Sequence, residues 1–193
     1  IAVAFNVSKS YFINEQKRVF HERVESYVQK MAKESQKLIG ALDALVAFYT
    51  STPHVERASF SNYSQTIIKN NEYLKSLTWI PKTSIYFKAE IEEQAQLEGI
   101  TGFRIKSLRN NGNSDLIAWD DHYFPILYFE SEQDVTAPYG ANLASVLPIR
   151  TLIEALVTQN RPLVQENLVI AGINEKRTLS LVAYPLYKMD GEY

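Results

Sequence analysis

Between Val24 and Tyr49 apolar residues recur at alternating steps of three and four: Val24, Val28, Met31, Leu38, Leu42, Leu45 and Tyr49, with Ser35 the polar gap. Positions 24, 31, 38 and 45, and positions 28, 35, 42 and 49, each advance by seven. That spacing places them on one seam of a helix, the a/d pattern of a coiled coil. Glu22, Arg23, Glu25, Lys30, Lys33, Glu34 and Lys37 fall off the seam. The first fifty residues contain one Gly (Gly40) and no Pro, so nothing forbids a single long helix over 1–50. The stripe suits two partners equally: the chain's own domain, or a second copy of the chain. Past Leu38 the added apolar positions Ile39, Val46 and Phe48 widen it, and the helix is expected to meet a globular body there.

Thr50-Ser51-Thr52-Pro53 ends this helix, because the residue before Pro disfavours the α region and Ser or Thr suits a new N-cap. A second helix is predicted over Glu56–Asn70, with Phe60, Tyr63, Ile67 and Ile68 on one face. Leu77–Lys82 reads as a strand closed by Pro81, and Ser84–Glu98 as a third helix stopped by Gly99. Strands are predicted over Phe103–Leu108 and Tyr123–Phe129, separated by the turn-forming run Asn110–Asp115. A helix over Pro148–Thr158 follows, then strands Leu163–Ala171 and Thr178–Tyr187 joined through Gly172–Lys176. Helices segregated around a small, mainly antiparallel sheet make an α+β fold. The expected division is a stalk helix, 1–50, and a globular lobe, 51–193.

Composition narrows the function. Apolar residues make up 46% of the 193 and charged residues 22%, enough for a substantial core. The net charge of −2 leaves no electrostatic footprint for nucleic acid. With no cysteine there is no disulfide, thiolate chemistry or Cys-ligated zinc. No apolar run reaches the ~20 residues that a membrane helix needs. The opening Ile1-Ala2-Val3-Ala4-Phe5 lacks a basic n-region, and reads as a boundary or as the last turn of an upstream membrane helix.

Catalytic constellations are weak. His21 falls in the stalk and His54 in a loop, leaving Asp120-Asp121-His122 as the one acidic-imidazole cluster. Neighbours on an extended chain point to opposite faces, so these three cannot converge on one metal from a strand. No nucleophile elbow and no glycine-rich phosphate loop is present. Glu92-Glu93 reads as a solvated helix face. A non-catalytic domain without a cofactor is therefore expected. Aromatic residues, 12% of the chain, concentrate in the β segments, among them Trp79, Phe103, Trp119, Tyr123, Tyr128 and Tyr139. They supply a core, and the walls of a small-molecule pocket if one exists.

Trp79-Ile80-Pro81, Gly102-Phe103-Arg104-Ile105 and Tyr123-Phe124-Pro125-Ile126, in this order, resemble the CHASE domain. Gly140-Ala141-Asn142-Leu143-Ala144-Ser145, with Pro148 and Arg150, is similar to the family's Gly-x-Asp-Leu-x-Ser and Pro-x-Arg elements, shifted by one or two residues. Leu181–Tyr187 resembles its closing strand. The likeness runs from about Leu38 to Lys188.

The resemblance implies a long helix bearing PAS-like domains, placed outside the cytoplasm between two transmembrane helices. Such receptors signal into histidine kinase, GGDEF-type diguanylate cyclase or phosphodiesterase domains; a second, membrane-proximal lobe is expected to be absent or incomplete here. A homodimer through the N-terminal helix and a small-molecule ligand of unknown identity are the implied partners. In cytokinin-binding relatives an Asp recognises the adenine ring, and Asn142 stands at that position. Ionised Asp only accepts hydrogen bonds whereas Asn also donates, so a ligand other than cytokinin is expected. Thr158 matches a family Thr at the end of the following helix. Tyr123, Phe103 and Ala183 are wall candidates by strand position. Arg150 is placed to meet an anionic group or to pair with Glu154, four residues on.

Overall fold

In the computed structural model, the structure describes residues 2–52, 55–108, 118, 121–132, 136–168 and 179–187, with side chains from Glu15 onward in the first helix. Helix α1 spans Ala2–Thr50. The chain divides into two compact units, Ile1–Asp43 and Ala44–Tyr193. In the first unit Val24, Val28 and Met31 are exposed, Met31 by 64%, so the seven-residue stripe is uncovered over that stretch. Arg18 bridges Glu15 and Glu22 off the seam at three- and four-residue spacing.

The second unit contains α2 (Arg57–Lys69), α3 (Lys88–Leu97, entered through a 3-10 turn at Ile85–Phe87) and α4 (Leu147–Gln159). Its strands are β1 (Ser76–Trp79), β2 (Thr83–Ser84), β3 (Lys106–Ser107), β4 (His122–Tyr123), β5 (Tyr128–Ser131), β6 (Ala141–Asn142), β7 (Leu163–Leu168) and β8 (Leu179–Ala183). This is an α+β fold: a long N-terminal helix, then a small sheet with helices.

Two prolines explain why the strands are short. β1 pairs antiparallel with β5 and β2 with β4, but the register slips by one residue between the two ladders. Pro81 lies in the gap on one side and Pro125 on the other, and neither has an N–H to give. The single strand expected over Tyr123–Phe129 is therefore two. The freed edge of 124–126 pairs with β6 instead, through Ile126 N–H to Ala141 O and Leu143 N–H to Phe124 O. β6 in turn pairs in parallel with β3. The extended segment 103–108 contributes only Lys106–Ser107 to a ladder. The β7–β8 hairpin carries a bulge between Gln165 and Leu168, with Asn167 at φ +54. The turn expected at Gly172–Lys176, the run Asn110–Asp115, Trp119, Asp120 and His54 lie outside the described residues.

Two apolar cores form. One joins Tyr49, Phe60, Ala95, Phe103, Ile105 and Tyr128, and so binds the end of α1 to α2, α3 and β5. Its aromatics fill space against one another: Tyr49 lies 5.3 Å from Trp79 and 6.4 Å from Phe60, which is 5.6 Å from Tyr128. The other core packs Phe124, Ile126, Ala141 and Leu143 against Ile149 and Ile153 of α4.

Candidate functional site

Where β6 runs into the 3-10 turn Leu143–Ser145, the chain leaves the ladder and the Phe124 N–H loses a regular backbone acceptor. Asn142 supplies a replacement. Its Oδ1 accepts from Phe124 N at 2.9 Å, and the side chain is fully buried. The Ser145 hydroxyl then donates to Asn142 O at 2.6 Å and accepts from Leu108 N at 3.0 Å. Arg150, one turn into α4, donates Nε to Ala144 O at 3.0 Å. It bonds this carbonyl and not Glu154. Its Nη1 and Nη2 have no hydrogen-bond partner among the described residues. A polar corner results, stitched from β6, the 3-10 turn, the start of α4 and the end of the β3 segment.

Two buried hydroxyls on nearby ladders have no partner among the described residues. Thr83 on β2, which pairs with Tyr123, has an unbonded Oγ1. Ser107 on β3, which pairs with Asn142, has an unbonded Oγ. A buried donor or acceptor left unmade costs about 1–3 kcal/mol.

The structure thus joins Asn142 and Arg150 through the 142–145 segment, and places Phe103 and Tyr123 together at the α2/α3 core. Phe103 is buried and Tyr123 half-buried. Thr158 is exposed near the end of α4, its hydroxyl donating to Glu154 O at 2.8 Å. Ala183 pairs with Leu163 in the β7–β8 hairpin. Among the described residues no hydrogen bond joins Thr158 or Ala183 to the other four.

Sequence reasoning missed Glu92. It is no part of a solvated face: Glu92 is 3% exposed, whereas Glu93 is exposed. Its Oε1 receives Lys88 Nζ at 2.5 Å and Ile105 N at 2.9 Å, and its Oε2 receives Arg104 Nη1 at 2.8 Å. Burial pushes the carboxyl up, but the Lys88 ammonium, the Ile105 amide and the Arg104 guanidinium together outweigh it and hold it below its ordinary value. The usable signal was Ile91 and Ala95 on either side of it, which mark an inward face at helical spacing.

A second polar tie fixes Tyr128, whose hydroxyl reaches Glu98 Oε2 at 2.5 Å and Val55 O at 3.2 Å. Burial first, then the Glu98 carboxylate, push that phenol well above its usual value. No group of three or more metal-ligating side chains occurs among the described residues. No described helix is long and apolar enough to cross a membrane.

With this geometry in view, comparison with known proteins decides the family. The CHASE domain matches residues 53–192. The chain belongs to the CHASE domain family. CHASE domains are sensor domains, typically extracellular, and not catalytic. A curated relative is "Adenylate cyclase, germination specific" of Dictyostelium discoideum, 30% identical over 102 residues. The match covers 52% of this chain but only 12% of that protein. The CHASE match includes Asn142, Arg150 and the α3–β3 region that Glu92 holds.

Proposed function

We propose that this CHASE domain is the extracytoplasmic, periplasmic ligand-sensing part of a transmembrane receptor. It binds a small molecule and transmits to a cytoplasmic kinase or cyclic-di-GMP output domain. The observation that carries the ligand reading is the pair of buried, unpartnered hydroxyls, Ser107 Oγ on β3, the strand paired with Asn142, and Thr83 Oγ1 on β2, which pairs with β4 beside Phe124. A polar molecule seated there would satisfy both. Arg150, with two guanidinium nitrogens to offer, is the group proposed to hold an anionic end. Asn142 orders the corner through its bond to the Phe124 N–H; Tyr123 and Phe103, from the neighbouring core, are proposed wall contacts, and Thr158 and Ala183 the outermost ones.

Attachment of a related segment to an enzyme named as an adenylate cyclase supports the reading of a sensor joined to a nucleotide-signalling output. The uncovered stripe Val24, Val28 and Met31 supports a homodimer through α1, with flanking membrane helices carrying the signal. A ligand acts on such a dimer only through its differential affinity for two arrangements.

A thermal-shift screen with purines, amino acids, organic acids and peptides tests this. One class is expected to raise Tm with saturation, and Ser107→Ala or Thr83→Val is expected to weaken that shift. An empty screen, together with specific capture of a periplasmic partner protein, would favour an interaction module over a small-molecule sensor.

A further inference from the structure

The segment 103–106 alternates strictly: Phe103 and Ile105 are buried at 2% and 4%, while Arg104 and Lys106 face outward. Two cations are therefore carried side by side on one face. Beside them lies a partly open cleft of about 260 Å³, formed by the turn Ile100–Phe103 and by Arg104, Lys106, Ala137 and Tyr139. The turn is closed by Phe103 N–H to Ile100 O at 3.1 Å, with Gly102 at φ +70.

Arg104 is anchored at one end only. Its Nη1 is held by buried Glu92, and the guanidinium stays 68% exposed. Its Nε and Nη2 have no partner among the described residues, and neither has Lys106 Nζ. Glu92 carries one negative charge shared between Lys88 and Arg104, so the trio is a net cation, and Lys106 adds another charge. Glu93, an exposed acid, lines with Arg104 a separate cleft and does not line this one.

We infer that this cleft is an oxyanion-binding site, distinct from the Asn142 corner, taking a small carboxylate- or phosphate-bearing molecule. The open edge of a guanidinium presents two parallel donors that match a carboxylate or phosphate. Lys106 supplies a second point charge, and Tyr139 and the turn bound the space. Glu92 holds one arm of the fork in place, which lowers the entropy lost when an anion binds. The site also touches the sheet directly: Lys106 N donates to Gly140 O, and Gly140 N to Ile126 O, each at 2.9 Å. Occupancy would brace the strand that ends in Asn142.

Calorimetric titration of the chain with succinate, citrate and inorganic phosphate, at constant ionic strength and with neutral succinamide as control, tests the site. At least one anion is expected to bind saturably, and which one does identifies the source as carboxylate or phosphate. Lys106→Gln, an exposed substitution, is expected to weaken binding about tenfold or more. Arg104→Lys, which keeps a charge for Glu92 but loses the fork, is expected to weaken it as well. Lys33→Gln, on the exposed surface of α1, is expected to leave it unchanged. Absence of saturation up to about 10 mM, succinamide binding as well as succinate, or equal weakening by Lys33→Gln and Lys106→Gln would overturn the inference.

Discussion

Glu92 and Tyr49 show opposite ways of burying a polar side chain. Glu92 is fully partnered, and its carboxyl titrates below the ordinary 4.5. A depressed carboxyl stabilises the fold at pH above its unfolded value, and that contribution is lost as pH falls through the folded value. Urea unfolding from pH 7 downward is therefore expected to show acid destabilisation below about pH 4.5 that Glu92→Gln reduces. At neutral pH the same substitution is expected to cost about 2 kcal/mol, less than for a fully buried pair because Arg104 and Lys88 reach solvent. Tyr49 carries a buried hydroxyl with no partner, and burial, with Tyr63 adding a smaller effect, pushes it up to about 12. Tyr49→Phe keeps the ring contacts and removes the orphan, so it is expected to raise unfolding stability by about 1 kcal/mol. In the wild type a raised phenol loses its contribution as pH climbs from about 10 towards 12, and the Phe variant should be spared that part of alkaline unfolding. Asn142 was legible as a motif position. Its bond to Phe124 was not, because that bond exists only once β6 has found the 124–126 edge.

Helices were far more legible than strands, for a physical reason. A helix writes its own hydrogen bonds along the chain, so Pro148, the Gly99 stop and the apolar spacing place α3 and α4 to within a few residues. A strand's extent depends on a distant partner. Residues 103–108 have strand alternation, yet only two of them meet β6. Gly140 marks that meeting. A Cβ there would lie 1.9 Å from the Arg104 carbonyl oxygen, and its φ is +75. Both facts exclude an ordinary side chain. Gly140→Ala is expected to lower stability by about 3 kcal/mol or more, read as a fall in urea midpoint. Gly102→Ala, with the space around it open and only the φ penalty to bear, should cost distinctly less.

The whole molecule carries an exposed heptad stripe on α1 and a lobe that buries two unpartnered hydroxyls, Thr83 Oγ1 and Ser107 Oγ. The stripe was readable from residues 24–49, but not whether a second copy covers it, since self-packing and dimerisation need the same spacing. Sedimentation velocity is expected to show concentration-dependent dimer that Val28→Asn combined with Met31→Asn converts to monomer, with the lobe's melting unchanged. The ligand's identity was not legible because the polar groups around Asn142 come from separate strands, as Thr83, Asn142 and Ser107 do. Sensing requires that a bound small molecule stabilise this lobe locally. The most direct measurement is hydrogen exchange with and without the compound that gives the largest thermal shift. Slower exchange concentrated in residues 83–84, 106–108, 122–126 and 140–150 is the predicted result; unchanged exchange throughout the lobe at saturating compound would contradict the account.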